Sequence, residues 1–317
     1  MTERSAFLRE VIAGLSARPK TLPGKFLWDE AGSVLFDRIC DHPDYYPTRR
    51  ETALLPEAAR ELAGLLGPHA TIVEFGSGAS RKIRTLLDAL DRPARYVAID
   101  ISRDYLDASV RRLQPDYPDV AMTAVCADYS QAVQLPPVGD GPVLGFFPGT
   151  SIGNVSPEEA RAFLARARET LGPNRLLVGA DPTRDEARLR RAYGESGGLM
   201  PAFHLNLLER LVRELGAGIE CDAFRHEARI LPEPFRMEAH LVASRANTWR
   251  LDGHAIAFEA GETVRTDISH KYAPREFQAL AMRSGWACER LGLDSDGAFS
   301  LHLLSGAEPG GAAIGTL

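Results

Sequence analysis

The sequence predicts a doubly wound α/β core interrupted by an inserted α+β domain, and three observations carry that expectation. Short runs that are apolar at successive positions alternate with segments of helical period, the pattern of a parallel sheet buried on both faces. Beyond Asp181 the pattern changes to a helix followed by segments of period two, which read as antiparallel strands joined by tight turns. The chain is 317 residues long, 44% hydrophobic and 25% charged, enough for two sizeable cores.

In order along the chain, the apolar runs ATIVEFG, RYVAID, VLGFFPG and RLLVGAD are the clearest strands, and a further one ends at Cys126. Helical periodicity covers 49–66, 82–90, 105–113, 157–171 and 185–193. The insertion opens with the helix HLNLLERLVRELG and continues as RMEAHLVASRANTWRL and HAIAFEAGETVRTDI. A helix over 274–284 then precedes two strands, WACERLGL and FSLHLLS, joined by the turn sequence DSDG. By analogy with doubly wound folds that end in such a hairpin, the last of them is expected to enter the parallel sheet antiparallel. The Gly- and Ala-rich tail over 306–317 reads as loosely ordered.

The formal net charge of -6 argues against a protein that holds nucleic acid through phosphate contacts, so a small-molecule partner is expected. Cys40, Cys126, Cys221 and Cys288 form no CxxC pair, which suggests neither a zinc knuckle nor a disulfide framework. The amino-terminal residues mix charges into an apolar helical pattern, unlike a signal peptide. No uncharged apolar run approaches the roughly 20 residues that span a bilayer. A soluble, cytoplasmic monomer without membrane contact is expected.

The first strand runs into EFGSGAS (74–80), where Gly76, Ser77 and Gly78 let a ligand approach the backbone at a helix amino terminus. A dinucleotide fingerprint would end in Gly or Ala where this chain has Arg81, so NAD is disfavoured. Asp100, 26 residues after Glu74, ends the second strand and can accept bonds from both ribose hydroxyls of an adenosyl group. Asp128 and Tyr129 follow the third strand, suited to the adenine amino group and ring. The joint spacing points to S-adenosylmethionine; singly, each piece reads more readily as a turn, a helix cap or a solvated loop residue. The next strand leads into FPGTSIGN (147–154), whose Asn154 has donor and acceptor atoms for an amino acid's ammonium and carboxylate. Capping the following helix is the competing role for Asn154, but Ser156 already suits that task.

At these segments the sequence resembles the ergothioneine-pathway L-histidine Nα-methyltransferases and their relatives, including fungal enzymes that methylate tryptophan-derived amines. The resemblance covers nearly the whole chain and is carried by PKTLP (19–23), LFD (35–37), YYPTR (45–49), EFGSGAS, GTSIGN, NLL (206–208), RELG (213–216) and TDISHKY (266–272). It implies a Rossmann-like class I methyltransferase domain over 48–183 plus 272–317, and a substrate-binding domain over 1–47 plus 184–271. By the same resemblance Tyr45, Asn154 and Tyr193 hold the substrate's amine and carboxylate, while Met237, Asp267 and Ser269 surround its side chain. Trp28, Gly76, Lys82, Asp100, Asp128 and Tyr129 fall at or beside cofactor positions.

Tyr45 and Tyr193 are equally readable as core aromatics, and Met237 as core filler. Tyr45, Asn154 or a water are the candidates to favour deprotonation of the amine, and no metal is required. The family implies successive transfer to a trimethylated betaine, hercynine. One departure matters: histidine-specific members carry Glu where this chain has Asp267. Losing one hydrogen bond to a buried carboxylate costs roughly 1.5–3 kcal/mol, which opens the alternative of an α-amine methyltransferase for another amino acid or amine. Aminopropyl transfer, which would need several carboxylates for a polycation, and a non-enzymatic cofactor-binding subunit are weaker rivals.

Overall fold

The computed structural model describes residues 3–78, 80–306 and 314–317, apart from the side chains of Glu3 and Glu195. Most of the glycine-rich tail, 307–313, and Ala79 of the glycine turn thus lie outside the described residues. The strands are β1 (Lys20–Thr21), β2 (Thr71–Phe75), β3 (Arg95–Asp100), β4 (Ala121–Cys126), β5 (Val143–Phe147), β6 (Arg175–Ala180), β7 (Phe224–Pro232), β8 (Phe235–Ala243), β9 (Asn247–Leu251), β10 (His254–Phe258), β11 (Thr263–His270), β12 (Ala287–Leu293), β13 (Ser300–Ser305) and β14 (Gly315–Thr316). The helices are α1 (Glu3–Ser16), α2 (Glu30–Asp41), α3 (Tyr46–Leu66), α4 (Ile83–Ala89), α5 (Arg103–Leu113), α6 (Pro157–Leu171), α7 (Glu186–Arg190), α8 (Leu199–Leu215) and α9 (Pro274–Met282). The chain divides into two compact units, Met1–Tyr46 with Arg184–Ser269, and Pro47–Thr183 with His270–Leu317.

The second unit holds an eight-stranded sheet in the order β14-β12-β13-β6-β5-β2-β3-β4. Strands β4, β3, β2, β5 and β6 are parallel, and β13 enters antiparallel between β6 and β12, as expected. Every residue of β2 and β5 is buried, the expected result for runs apolar on both faces. Alternation sends Ile72, Tyr96, Leu144 and Phe146 into one core with Leu55 and Leu62 of α3, Leu86 of α4 and Leu106 of α5. Val73, Val97, Phe147 and Val178 join the other core, with Phe163 and Leu164 of α6 and Phe277 of α9. Because β2 pairs with β3 on one side and β5 on the other, the chain reverses direction of winding there. That switch point opens the carboxyl ends of β2 and β5 to a ligand.

The first unit contains the sheet β1-β11-β8-β7 and the hairpin β9-β10. Strands β7 and β8 pair antiparallel from Phe224↔Ala243 to Pro232↔Phe235, and β9 with β10 across Asp252-Gly253, both at positive φ. Strand β1 adds parallel to β11, which the period-two reading did not foresee. The helix expected over 185–193 is shorter: α7 stops at Arg190 and a π-helical turn, Arg191–Glu195, follows. Its glycine-rich exit, Gly194, Gly197 and Gly198, cannot sustain a regular helix before α8.

Candidate functional site

In the second unit the turn after β2 is bound to the end of β3. Asp100 Oδ2 accepts the Gly78 N–H at 3.0 Å and Oδ1 accepts that of Ser102 at 3.0 Å. Burial pushes the Asp100 carboxyl up, against these backbone donors. Each oxygen keeps further acceptor capacity, so the cap role and a ribose role are compatible. Gly76 has φ +73, and a Cβ there would lie 3.4 Å from Tyr129 Cε1. The Tyr129 ring packs edge-on against Phe147 at 5.4 Å and Phe163 at 5.8 Å, while Asp128 Oδ1 accepts the Ser130 N–H at 2.9 Å.

The hydroxyl of Ser77 is buried without a hydrogen-bond partner, which leaves its donor and acceptor capacity open to a polar group at this turn. A bare glycine facing an aromatic ring, an orphaned hydroxyl and a carboxylate at the next strand end fit an adenosyl cofactor. Lys82, just before α4, pairs with the buried carboxylate of Glu51 on α3. Glu74, fully buried, accepts from the Tyr96 hydroxyl, and burial pushes its carboxyl up to about 8.

Asn154 ends a 3-10 turn, Ser151–Asn154, and is not the cap of α6. Ser156 accepts the Glu159 N–H at 3.2 Å, and Glu159 accepts that of Ser156 at 2.8 Å, a complete capping box. At the carboxyl end of β6, Asp181 and Lys271 form a fully buried pair at 2.8 Å. Sequence reading missed Glu51, the Glu74–Tyr96 pair and this one. Glu51 alone left a signal, a carboxylate on the stripe of Leu55, Ala58 and Leu62.

In the first unit, Tyr45 is 5% exposed and stacks edge-on against Tyr193 at 5.9 Å and Phe36 at 5.8 Å. The Tyr193 hydroxyl lies 3.5 Å from Ser269 Oγ on β11, and Asp267 is two residues earlier on the same strand, hence on the same face. Asp267 Oδ1 accepts the Ile268 N–H at 2.9 Å, which fixes the carboxylate to its own strand. Trp28 packs with Phe36 at 4.9 Å and Phe203 at 5.4 Å. Met237, 2% exposed, sits on β8 opposite Ile230 as core filler would. The structure thus joins Tyr45, Tyr193 and Ser269 directly, and groups Gly76, Gly78, Asp100 and Tyr129 separately.

A doubly wound sheet with one antiparallel strand, and a glycine turn flanked by strand-end carboxylates, define the class of S-adenosylmethionine-dependent methyltransferases. The chain belongs to the histidine-specific, SAM-dependent methyltransferase family, whose profile matches residues 7–306. It is 36% identical over 305 residues to a histidine N-alpha-methyltransferase of Mycolicibacterium smegmatis, and 38% identical over 305 residues to one of Mycobacterium tuberculosis. Both matches cover 94% of each chain. Ergothioneine biosynthesis protein 1 of Neurospora crassa is 33% identical over 205 residues, 62% of this chain and 23% of its own length. Among the described residues no helix is long and apolar enough to cross a membrane.

Proposed function

We propose that the protein methylates the α-amine of free L-histidine with S-adenosylmethionine as donor, in successive rounds up to the trimethylated betaine hercynine. Family membership and the likeness to two histidine N-alpha-methyltransferases along 94% of the chain support the reaction. The observation that carries the substrate assignment is the Tyr45–Tyr193–Ser269 group with Asp267 on the same strand face. It offers hydroxyls for an amine and carboxylate, and one carboxylate for an imidazole N–H.

The cofactor supplies an electrophilic methyl on a sulfonium, so the protein's task is to hold and orient. Asp100 is the acceptor for ribose hydroxyls, Asp128 for the adenine amino group, and Tyr129 the wall of the ring site. Gly76 and Gly78 present backbone rather than side chain there, and Lys82 and Trp28 complete the cofactor set. Asn154 donates to the substrate carboxylate and accepts from its ammonium. A free α-amine is largely protonated at neutral pH; water takes the proton that frees its lone pair, and the Tyr45 hydroxyl holds the neutral amine by a hydrogen bond. Asp267 reaches the imidazole in place of a longer Glu.

Mass spectrometry of the products formed from each common amino acid tests the assignment. Histidine gaining up to three methyl groups is expected. Methylation of another amino acid in preference to histidine would overturn the substrate, and none with any would overturn the reaction.

A further inference from the structure

We propose that Glu51 is a positioning residue for methyl transfer, one buried carboxylate that sets both Lys82 beside the cofactor turn and the Gly149 amide at the head of the Asn154 loop. The proposal rests on the reading of Lys82 as a cofactor residue and of Asn154 as a substrate residue.

Glu51 lies on the buried stripe of α3, at 0% exposure, where the helix otherwise presents Leu55, Ala58 and Leu62 to the sheet. A carboxylate among such residues is retained only where both oxygens are compensated. Here one oxygen takes a directed hydrogen bond and the other is compensated by an ion pair without an aligned hydrogen bond, and the two partners come from different segments. Oε1 accepts the Gly149 N–H at 2.8 Å, and Oε2 pairs with Lys82 Nζ.

The three groups close on one another. Gly149 has φ +72, a conformation that side chains resist, and a Cβ there would lie 3.4 Å from Lys82 Nζ. The ammonium therefore rests against the bare face of the glycine whose N–H the same carboxylate holds. Lys82 is 21% exposed, and an ammonium has three donors, so the pair with Glu51 leaves capacity for a polar ligand at the turn. From Gly149 the chain goes straight into the 3-10 turn, where Gly153 N–H bonds Thr150 O at 2.9 Å and Asn154 follows. A shift of the Glu51 carboxylate thus moves the cofactor lysine and the Asn154 loop together. Simple neutralisation of Lys82 would need only one oxygen, and would leave the Gly149 bond without consequence.

Three variants separate these accounts. Glu51→Gln keeps an acceptor for the Gly149 N–H but removes the charge facing Lys82, Glu51→Ala removes both, and Lys82→Met removes the ammonium. The readouts are S-adenosylmethionine Kd by calorimetry, and KM for histidine and kcat at saturating cofactor. With Glu51→Gln, cofactor Kd is expected to rise about tenfold with histidine KM within about twofold of the parent; Glu51→Ala adds a rise of about tenfold in histidine KM. In the Lys82→Met background Glu51→Gln is expected to have no further effect on cofactor Kd, because the pair acts as a unit.

Additive effects, or cofactor affinity lost in Lys82→Met but intact in Glu51→Gln, would overturn the cofactor arm. Equal histidine KM in Glu51→Gln and Glu51→Ala would overturn the loop arm. Unchanged cofactor binding in Lys82→Met would remove the cofactor reading itself, a separate failure. If Glu51→Ala does not fold, Glu51→Gln compared with Lys82→Met and their double variant still decides the cofactor arm, and Glu51→Met, which fills the same space without an acceptor, decides the loop arm: a histidine KM equal to that of Glu51→Gln would overturn it.

Discussion

Replacing Glu74 by Gln is expected to change how stability depends on pH. Glu74 is fully buried at the end of β2, and burial pushes its carboxyl from an ordinary 4.5 up to about 8, with the Tyr96 hydroxyl pulling the other way. The folded protein therefore holds this acid neutral where the unfolded chain ionises it. That contribution is complete below about 4.5 and is lost as the pH rises through about 8. The interval amounts to about 5 kcal/mol in full and about 3 kcal/mol by pH 7. Gln is neutral at every pH and keeps an oxygen for the Tyr96 hydroxyl. Urea unfolding of both proteins between about pH 5 and 8 should show the stability of Glu74→Gln, relative to the parent, climbing by about 3 kcal/mol. A difference that stays constant across that range would mean that Glu74 is ionised in the folded protein, and the argument from burial would fail.

Gly76→Ala places a methyl at φ +73, 3.4 Å from the Tyr129 ring; with left-handed strain of about 1–2 kcal/mol, cofactor Kd by calorimetry should rise about tenfold. Tyr193→Phe removes the hydroxyl beside Ser269 and should raise histidine KM about tenfold with cofactor Kd unchanged, as steady-state kinetics will show. With Asp267 proposed to accept from the imidazole, Asp267→Asn should cost roughly 1.5–3 kcal/mol, or about ten- to a hundredfold in kcat/KM for histidine. On the acid side, burial pushes His226 from 6.5 down to about 4, so its contribution is complete above about 6.5 and is lost as the pH falls through about 4. His226→Gln should flatten the acid limb of a thermal-melt series by about 3 kcal/mol at most.

The parallel sheet was legible because strands buried on both faces leave unbroken apolar runs, as in β2 and β5. The hairpin of β12 and β13 was legible from the turn sequence DSDG between two apolar segments, whereas the antiparallel entry of β13 beside β6 was reached only by analogy at the level of fold. Strand β1 was illegible, since two residues carry no period and its partner β11 is far along the chain. The early end of α7 escaped because the helical pattern ran on through the π turn. Among site residues, the Ser156 capping box was readable as a local motif, and with it the release of Asn154 from that duty. The approach of Tyr193 to Tyr45 and Ser269 was reached only through the family resemblance, because it depends on packing between segments that no local rule relates.

The loop after β5 leaves almost nothing for substitution to work with. Gly149 is hemmed in by Lys82, and a Cβ on Gly153 would stand 2.5 Å from the His270 carbonyl oxygen. A library that seeks new amine substrates by varying these glycines would mostly return misfolded loops. The same effort spent on Asp267, a half-buried side chain on a regular strand, has room to succeed. Substrate range in this scaffold is thus expected to drift through the strand that carries Asp267, while the loop that carries Asn154 stays as it is.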